Sequence, residues 1–272
     1  MKPRPLSPSS LKLYMQCPWQ YFLRYEKGVR APATEAMLVG QLFHAACERL
    51  VTDPEAYERG AVDFVQLTDN FTKYSRPIAD KAEEMFVSFV PTLKQFLSER
   101  EIVGIEKDVT LVGEINEDGS ARFTCMLPND ATRWLRMQSK AGKTNVVGIR
   151  GIFDLVVIDD AGVVEVVDYK TGQWTQNYQE LKKDWQAKIY AIIAAELYGD
   201  YVITYHYIQG TPVSLSLSPS ELNEARLALL SWYRRIVEDE FPAKETGWWC
   251  KFCPIYTDCK HGVCQRGLDF TA

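Results

Sequence analysis

From Gly148 to Gly172 the apolar pattern predicts a β-hairpin. Ile149, Ile152, Leu155 and Val157 belong to the first arm, and Val163, Val164, Val166 and Val167 to the second. Asp159-Asp160-Ala161-Gly162 is the turn between them. Upstream, Ser7-Pro8 starts a helix, with Leu11, Tyr14 and Met15 at helical spacing. Cys17-Pro18 interrupts it and opens another turn carrying Tyr21, Phe22 and Tyr25, which Gly28 ends. Met37 to Leu50 and Arg76 to Arg100 read as helices. The acidic stretch Asp53 to Asp63 between them reads as a connection or short helix. Glu101 to Glu114 and Arg122 to Met126 read as strands turning at Gly119, and a short helix is expected over Ala131 to Gln138. After the hairpin come a helix over Tyr178 to Tyr198, strands over Tyr201 to Gln209 and Val213 to Leu217, and a helix from Pro219 to about Glu238. This order predicts an α/β fold, a mixed central sheet covered by helices.

The hairpin carries charge where its surroundings are apolar. Asp154 lies in the first arm, and Asp168 and Lys170 lie near the end of the second. A carboxylate in an apolar strand is costly unless it is paired or binds a metal. Side chains alternate, so Asp168 and Lys170 share one face and Tyr169 points to the other. Paired arms bring Asp154 near both, and two carboxylates with one ammonium suit a divalent cation and a phosphate.

The 272 residues have the composition of a globular protein, with a net charge of −5 that is no nucleic-acid signature by itself. Locally, Arg133, Arg136, Lys140, Lys143 and Arg150 stand against only Asp130, which reads as a solvated or a phosphate-contacting run. No apolar stretch reaches the roughly 18 residues of a membrane span. The N-terminus lacks an apolar signal region, so a cytoplasmic location is expected. No nucleotide-binding Gly-x4-Gly-Lys-Ser/Thr loop is visible.

Seven cysteines are present, with Cys250-x2-Cys253-x5-Cys259 in an irregular tail that starts near Phe241. Such spacing in a cytosolic chain favours metal over disulfides. The fourth ligand could be Cys264, Cys17, His261 or Cys47, and spacing alone leaves zinc and a [4Fe–4S] cluster open. Trp248 and Trp249 beside Cys250 either cover the metal or stack on bases. His44, on or beside an apolar helix side, reads as a core histidine or a ligand.

Taken together, these pieces resemble the RecB-type branch of the PD-(D/E)XK nucleases. Within it they look like the iron–sulfur members: Cas4, the AddB nuclease domain and the Exo5-like exonucleases. The resemblance is carried by Ser-Pro-Ser-Ser…Cys17-Pro18, Gly40-x3-His44, Gly151-x2-Asp154, Asp168-Tyr169-Lys170-Thr171-Gly172, Gln186-x3-Tyr190 and the terminal cysteines. It implies a restriction-endonuclease-like core in a single domain. Residues 1–35 would carry the first cluster cysteine, 36–240 the core with a helical insertion around 53–100, and 241–272 the cluster segment.

The resemblance implies Mg²⁺ or Mn²⁺ held by His44, Asp154, Asp168 and the Tyr169 carbonyl. Lys170 would handle the attacking water, and Gln186 and Tyr190 would contact substrate or orient Lys170. Glu106 remains a candidate for supporting these ligands. Cys17, Cys250, Cys253 and Cys259 would hold the cluster, with zinc the less favoured metal. The implied activity is a DNA exonuclease acting on single strands or ends, alongside a possible helicase, recombinase or Cas1-like partner. The alternatives are a non-catalytic or partner-dependent DNA-binding subunit of a helicase–nuclease or integrase complex, and a zinc-stapled interaction protein.

Overall fold

A computed structural model describes residues 2–30, 33–53, 55 and 76–239. The helices are α1 (Pro8–Gln16), α2 (Pro18–Tyr25), α3 (Glu35–Thr52), α4 (Arg76–Leu97), α5 (Pro128–Lys140), α6 (Tyr178–Leu181), α7 (Trp185–Tyr198) and α8 (Pro219–Glu238). The strands are β1 (Glu101–Ile115), β2 (Ala121–Cys125), β3 (Val146–Ile158), β4 (Val164–Lys170), β5 (Tyr201–Tyr207) and β6 (Val213–Leu215). They form one six-stranded sheet in the order β2-β1-β3-β4-β5-β6. The β1–β2, β3–β4 and β5–β6 pairs are antiparallel and β4–β5 is parallel, giving a mixed α/β fold. A parallel pair needs a crossover, and α6 and α7 supply it.

The contacts divide the chain into two compact units. One gathers described residues of 1–32, 110–150 and 219–272, the other those of 33–109 and 151–218.

In the first unit the N-terminal segment joins the sheet. The Leu6 N–H donates to the Gly148 carbonyl at 2.8 Å, and the Arg150 N–H donates to the Leu6 carbonyl at 2.9 Å. Ser7 caps α1 in a capping box. Tyr14 reaches from α1 to hydrogen-bond the Asp239 carboxylate just past α8. Cys17 is buried at the junction of α1 and α2, in extended conformation. The basic run lies on α5 and the turn after it: Arg133, Arg136 and Lys140 are exposed, while Lys143 pairs with Glu114.

In the second unit α3 and α4 bury Val39, Leu42, Phe43, Phe86, Phe89 and Leu93 against Leu155, Val157, Val167 and Tyr169 of the hairpin strands. Burial of these large side chains contributes roughly 1.5–3 kcal/mol each. The other face meets α7, whose Tyr190 packs edge-on against Phe153 with ring centroids 4.9 Å apart. Both faces of the hairpin are covered, which explains its near-continuous apolar runs.

The structure departs from the sequence pattern in a few places. The helix expected over Tyr178 to Tyr198 breaks at Lys182 to Asp184, because the Asp184 side chain accepts from the Gln186 N–H and starts a new helix. The helix expected over Ala131 to Gln138 runs from Pro128 to Lys140, Pro128 occupying a first-turn position that needs no N–H. Of the acidic stretch after α3, only Asp53 and Glu55 are described. The terminal segment with Trp248, Trp249, Cys250, Cys253, Cys259, His261 and Cys264 lies outside the described residues. Among the described residues no helix is long and apolar enough to cross a membrane.

Candidate metal centre

Leu155 pairs with Val167 across the hairpin, so Asp154 and Asp168 are neighbours just beyond that pair. Asp154 Oδ2 accepts from the Tyr169 N–H at 2.7 Å, leaving Oδ1 facing His44 Nδ1 at 3.3 Å. Helix α3 presents His44 beside the strand. A Cβ on Gly40, one turn earlier, would come within 3.3 Å of Thr171 Oγ1, so Gly40 permits the close approach of the chain after β4.

Glu106 completes a cluster. One ligand atom each from His44, Glu106 and Asp154 lies within 4.8 Å of the others. Glu106 is also the one described non-glycine residue with a left-handed backbone, at φ 46°. That conformation is costly for a side chain larger than asparagine and persists where surroundings enforce it. No local sequence pattern announces this conformation, so the sequence marks Glu106 only as a candidate supporting carboxylate.

Asp168 is 3% exposed and faces α7. Its Oδ2 lies 2.5 Å from Lys170 Nζ, and its Oδ1 accepts from Gln186 Nε2 at 2.6 Å. Gln186 Oε1 accepts from Lys170 Nζ at 2.8 Å, and the ammonium sits 4.2 Å from the Tyr205 ring centroid. Tyr190 OH takes a bond from Gln186 at 3.1 Å and donates to the Ile152 carbonyl at 2.5 Å. A Cβ on Gly151 would lie 2.9 Å from Ile193 Cδ1 and 3.2 Å from the Tyr190 ring, so Gly151 leaves room for α7. Structure thus brings His44, Glu106 and Asp154 into one group, and Asp168, Lys170, Gln186 and Tyr190 into an adjoining network. Cys17 belongs to neither.

The electrostatics show a site short of positive charge. Burial first, then the Asp154 charge, pushes Glu106 up to about 7. The same two causes raise Asp168 to about 6. Burial alone would lower His44, yet its hydrogen bond to Asp154 and the surrounding carboxylates carry it up to about 9. The carboxylates repel one another as well as losing solvent, and a divalent cation would relieve that repulsion. Two carboxylates and an imidazole within one ion's reach fit such a cation.

No curated protein matches the chain. Among solved structures, an exonuclease candidate from Eubacterium rectale is 13% identical, with TM-score 0.47, over 86% of this chain and 80% of the other. The protein SSO0001 is 14% identical, with TM-score 0.39, over 94% of this chain and 86% of its own. Residues 5–260 match the PD-(D/E)XK nuclease superfamily, a span that takes in the sheet and the whole His44–Glu106–Asp154 group. A mixed α/β core with a cluster consistent with a divalent-metal nuclease site, inside a match of that length, places the chain by descent: it belongs to the PD-(D/E)XK nuclease superfamily.

Proposed function

We propose that the chain is a Mg²⁺- or Mn²⁺-dependent DNA exonuclease acting on single strands or DNA ends. The observation that carries this reading is the juxtaposition of the His44–Glu106–Asp154 group with the Asp168–Lys170–Gln186 network. His44, Asp154 and Glu106, which lie within one ion's reach, would hold the cation, with Asp168 and the Tyr169 carbonyl as further oxygen donors from the adjoining strand. A divalent cation there would supply polarisation of the scissile phosphate and a lowered pKa for a bound water. As a ligand His44 would be neutral, so binding a cation would release its proton. Lys170 positions the attacking water and offsets charge building on phosphorus. Gln186 fixes the Lys170 ammonium, and Tyr190 ties Gln186 to the β3 backbone. Asp154 is held for its role by the Tyr169 N–H.

A [4Fe–4S] cluster on Cys17, Cys250, Cys253 and Cys259 is the accompanying proposal, with zinc as its competitor. The buried position of Cys17 at an irregular helix junction supports a structural role for its thiol. Iron and sulfide content after air-free isolation, in wild type and Cys17→Ser, distinguishes the cluster from zinc.

The test of function is degradation of single-stranded DNA labelled at either end, with Mn²⁺ or Mg²⁺. Stepwise loss of one label, abolished by Asp168→Asn, is expected and gives the polarity. Internal cuts only would reject the exonuclease assignment. Binding without cleavage under either metal would favour a partner-dependent subunit working beside a helicase or recombinase.

A further inference from the structure

Two exposed apolar side chains flank the charged site and take no part in the core. Trp174 is 77% exposed, the most exposed large hydrophobic side chain among the described residues. It lies on the loop between β4 and α6, four residues after Lys170. Ile152 is 41% exposed and precedes Asp154 by two positions on β3, hence on the same strand face.

The loop holding Trp174 is anchored on its far side. The Gln176 N–H donates to Tyr207 OH at 3.1 Å, and Gln176 Nε2 donates to Asp184 Oδ2 at 3.1 Å. A Cβ on Gly210 would lie 2.6 Å from Thr175 Cγ2, so Thr175 packs directly on the chain after β5. The indole is therefore presented on a held segment, although folding gains nothing from leaving it in water. Four residues span at most about 14 Å, which bounds how far the backbone of Trp174 lies from that of Lys170. At about 3.4 Å per stacked nucleotide, that reach covers a few nucleotides of a bound strand.

We infer that Trp174 is a stacking platform for an unpaired nucleobase of the substrate strand. This rests on the nuclease reading and adds a determinant of specificity to it. A base inside a duplex has both faces covered by its neighbours. An indole within a few nucleotides of the reacting phosphate would therefore select single strands and frayed ends.

The test is equilibrium binding of fluorescent oligonucleotides by anisotropy, with Ca²⁺ as the divalent ion. Wild type, Trp174→Ala and Trp174→Phe are compared on a single strand, on strands with an abasic nucleotide walked along them, and on a blunt duplex. Trp174→Ala is expected to weaken single-strand binding by roughly five- to hundredfold, with most of it restored in Trp174→Phe. One abasic position should cost wild type a similar factor and Trp174→Ala almost nothing, while duplex binding changes by less than about twofold. An unchanged single-strand affinity in Trp174→Ala would overturn the inference. So would an equal loss on every substrate, or no single-strand binding by wild type. Cleavage of the same strand with Mn²⁺ is scored separately. Inactivity together with Trp174-dependent binding would remove the hydrolase reading and leave this one standing.

Discussion

Gln186 and Lys170 are joined by a 2.8 Å hydrogen bond in which the amide oxygen accepts from the ammonium, while the amide nitrogen of Gln186 donates to Asp168 at 2.6 Å. Only this amide orientation satisfies both charged neighbours, since the reverse sets NH₂ against ammonium and oxygen against carboxylate. On the proposed nuclease reading, Gln186 would therefore position Lys170 rather than touch the reacting atoms. A hydrogen bond to a charged group contributes about 1.5–3 kcal/mol, so Gln186→Ala should lower kcat roughly 10- to 100-fold. Mn²⁺ affinity, read by calorimetry, should change little. Gln186→Glu should be worse, because it faces a second carboxylate towards buried Asp168.

The metal site should load in a pH-dependent way. Glu106, raised to about 7, and His44, raised to about 9, both hold protons in the metal-free fold that the unfolded chain releases at lower pH. Stability from these protons is complete below the unfolded values and is lost as pH rises through about 7 and about 9. A cation competes with the same protons. The rise in Tm on adding Mn²⁺ should therefore grow from pH 5.5 to pH 9. Glu106→Gln should weaken Mn²⁺ binding at least about tenfold. A Mn²⁺-induced Tm shift independent of pH would contradict the assignment.

His206 sets an opposite slope. It is 3% exposed, its ring lies 4.6 Å from that of Phe96, and burial followed by the Arg100 charge lowers it to about 4. The fold holds this imidazole neutral, so its contribution is full above the unfolded pKa of 6.5 and is lost as pH falls towards 4. The loss is on the order of 2–3 kcal/mol. Comparing urea unfolding of wild type and His206→Gln at pH 7 and pH 4.5 isolates it, and the variant should lack that part of the pH slope.

Gly151 is a packing requirement of the site. Gly151→Ala brings a methyl to 2.9 Å from Ile193 and 3.2 Å from Tyr190. Overpacking of this kind costs about 1–3 kcal/mol. Because Tyr190 ties Gln186 to β3, the variant should lose activity beyond its loss of stability. Gly40→Ala, meeting only the end of the Thr171 side chain at 3.3 Å, should be milder.

Much of the fold was legible because its elements are strongly periodic. The Val-rich arms of β3 and β4 alternate as strands do, and α3 and α4 carry apolar stripes. Asp184 was not legible as a helix break, since a capping aspartate looks like any polar residue in an amphipathic run. Glu106 was undervalued because its placement depends on a left-handed backbone that no local sequence signal announces. Trp174 sits among loop residues where an apolar side chain carries no periodicity. Its exposure became visible only once β4, α6 and the Gln176 anchors were in place. The glycines of the Gly40 and Gly151 motifs acquired a physical reason only from the atoms packed against them.

The central claim is that one cluster holds a divalent cation and a separate ammonium completes the chemistry. The most direct test measures Mn²⁺ binding and cleavage of end-labelled single-stranded DNA on the same preparations of wild type and Lys170→Ala. Metal-dependent cleavage by wild type is expected, and Lys170→Ala should bind Mn²⁺ with nearly wild-type affinity while cleavage falls by roughly 10²-fold or more. Cleavage retained in Lys170→Ala, or wild-type cleavage that persists after the metal is chelated, would contradict it.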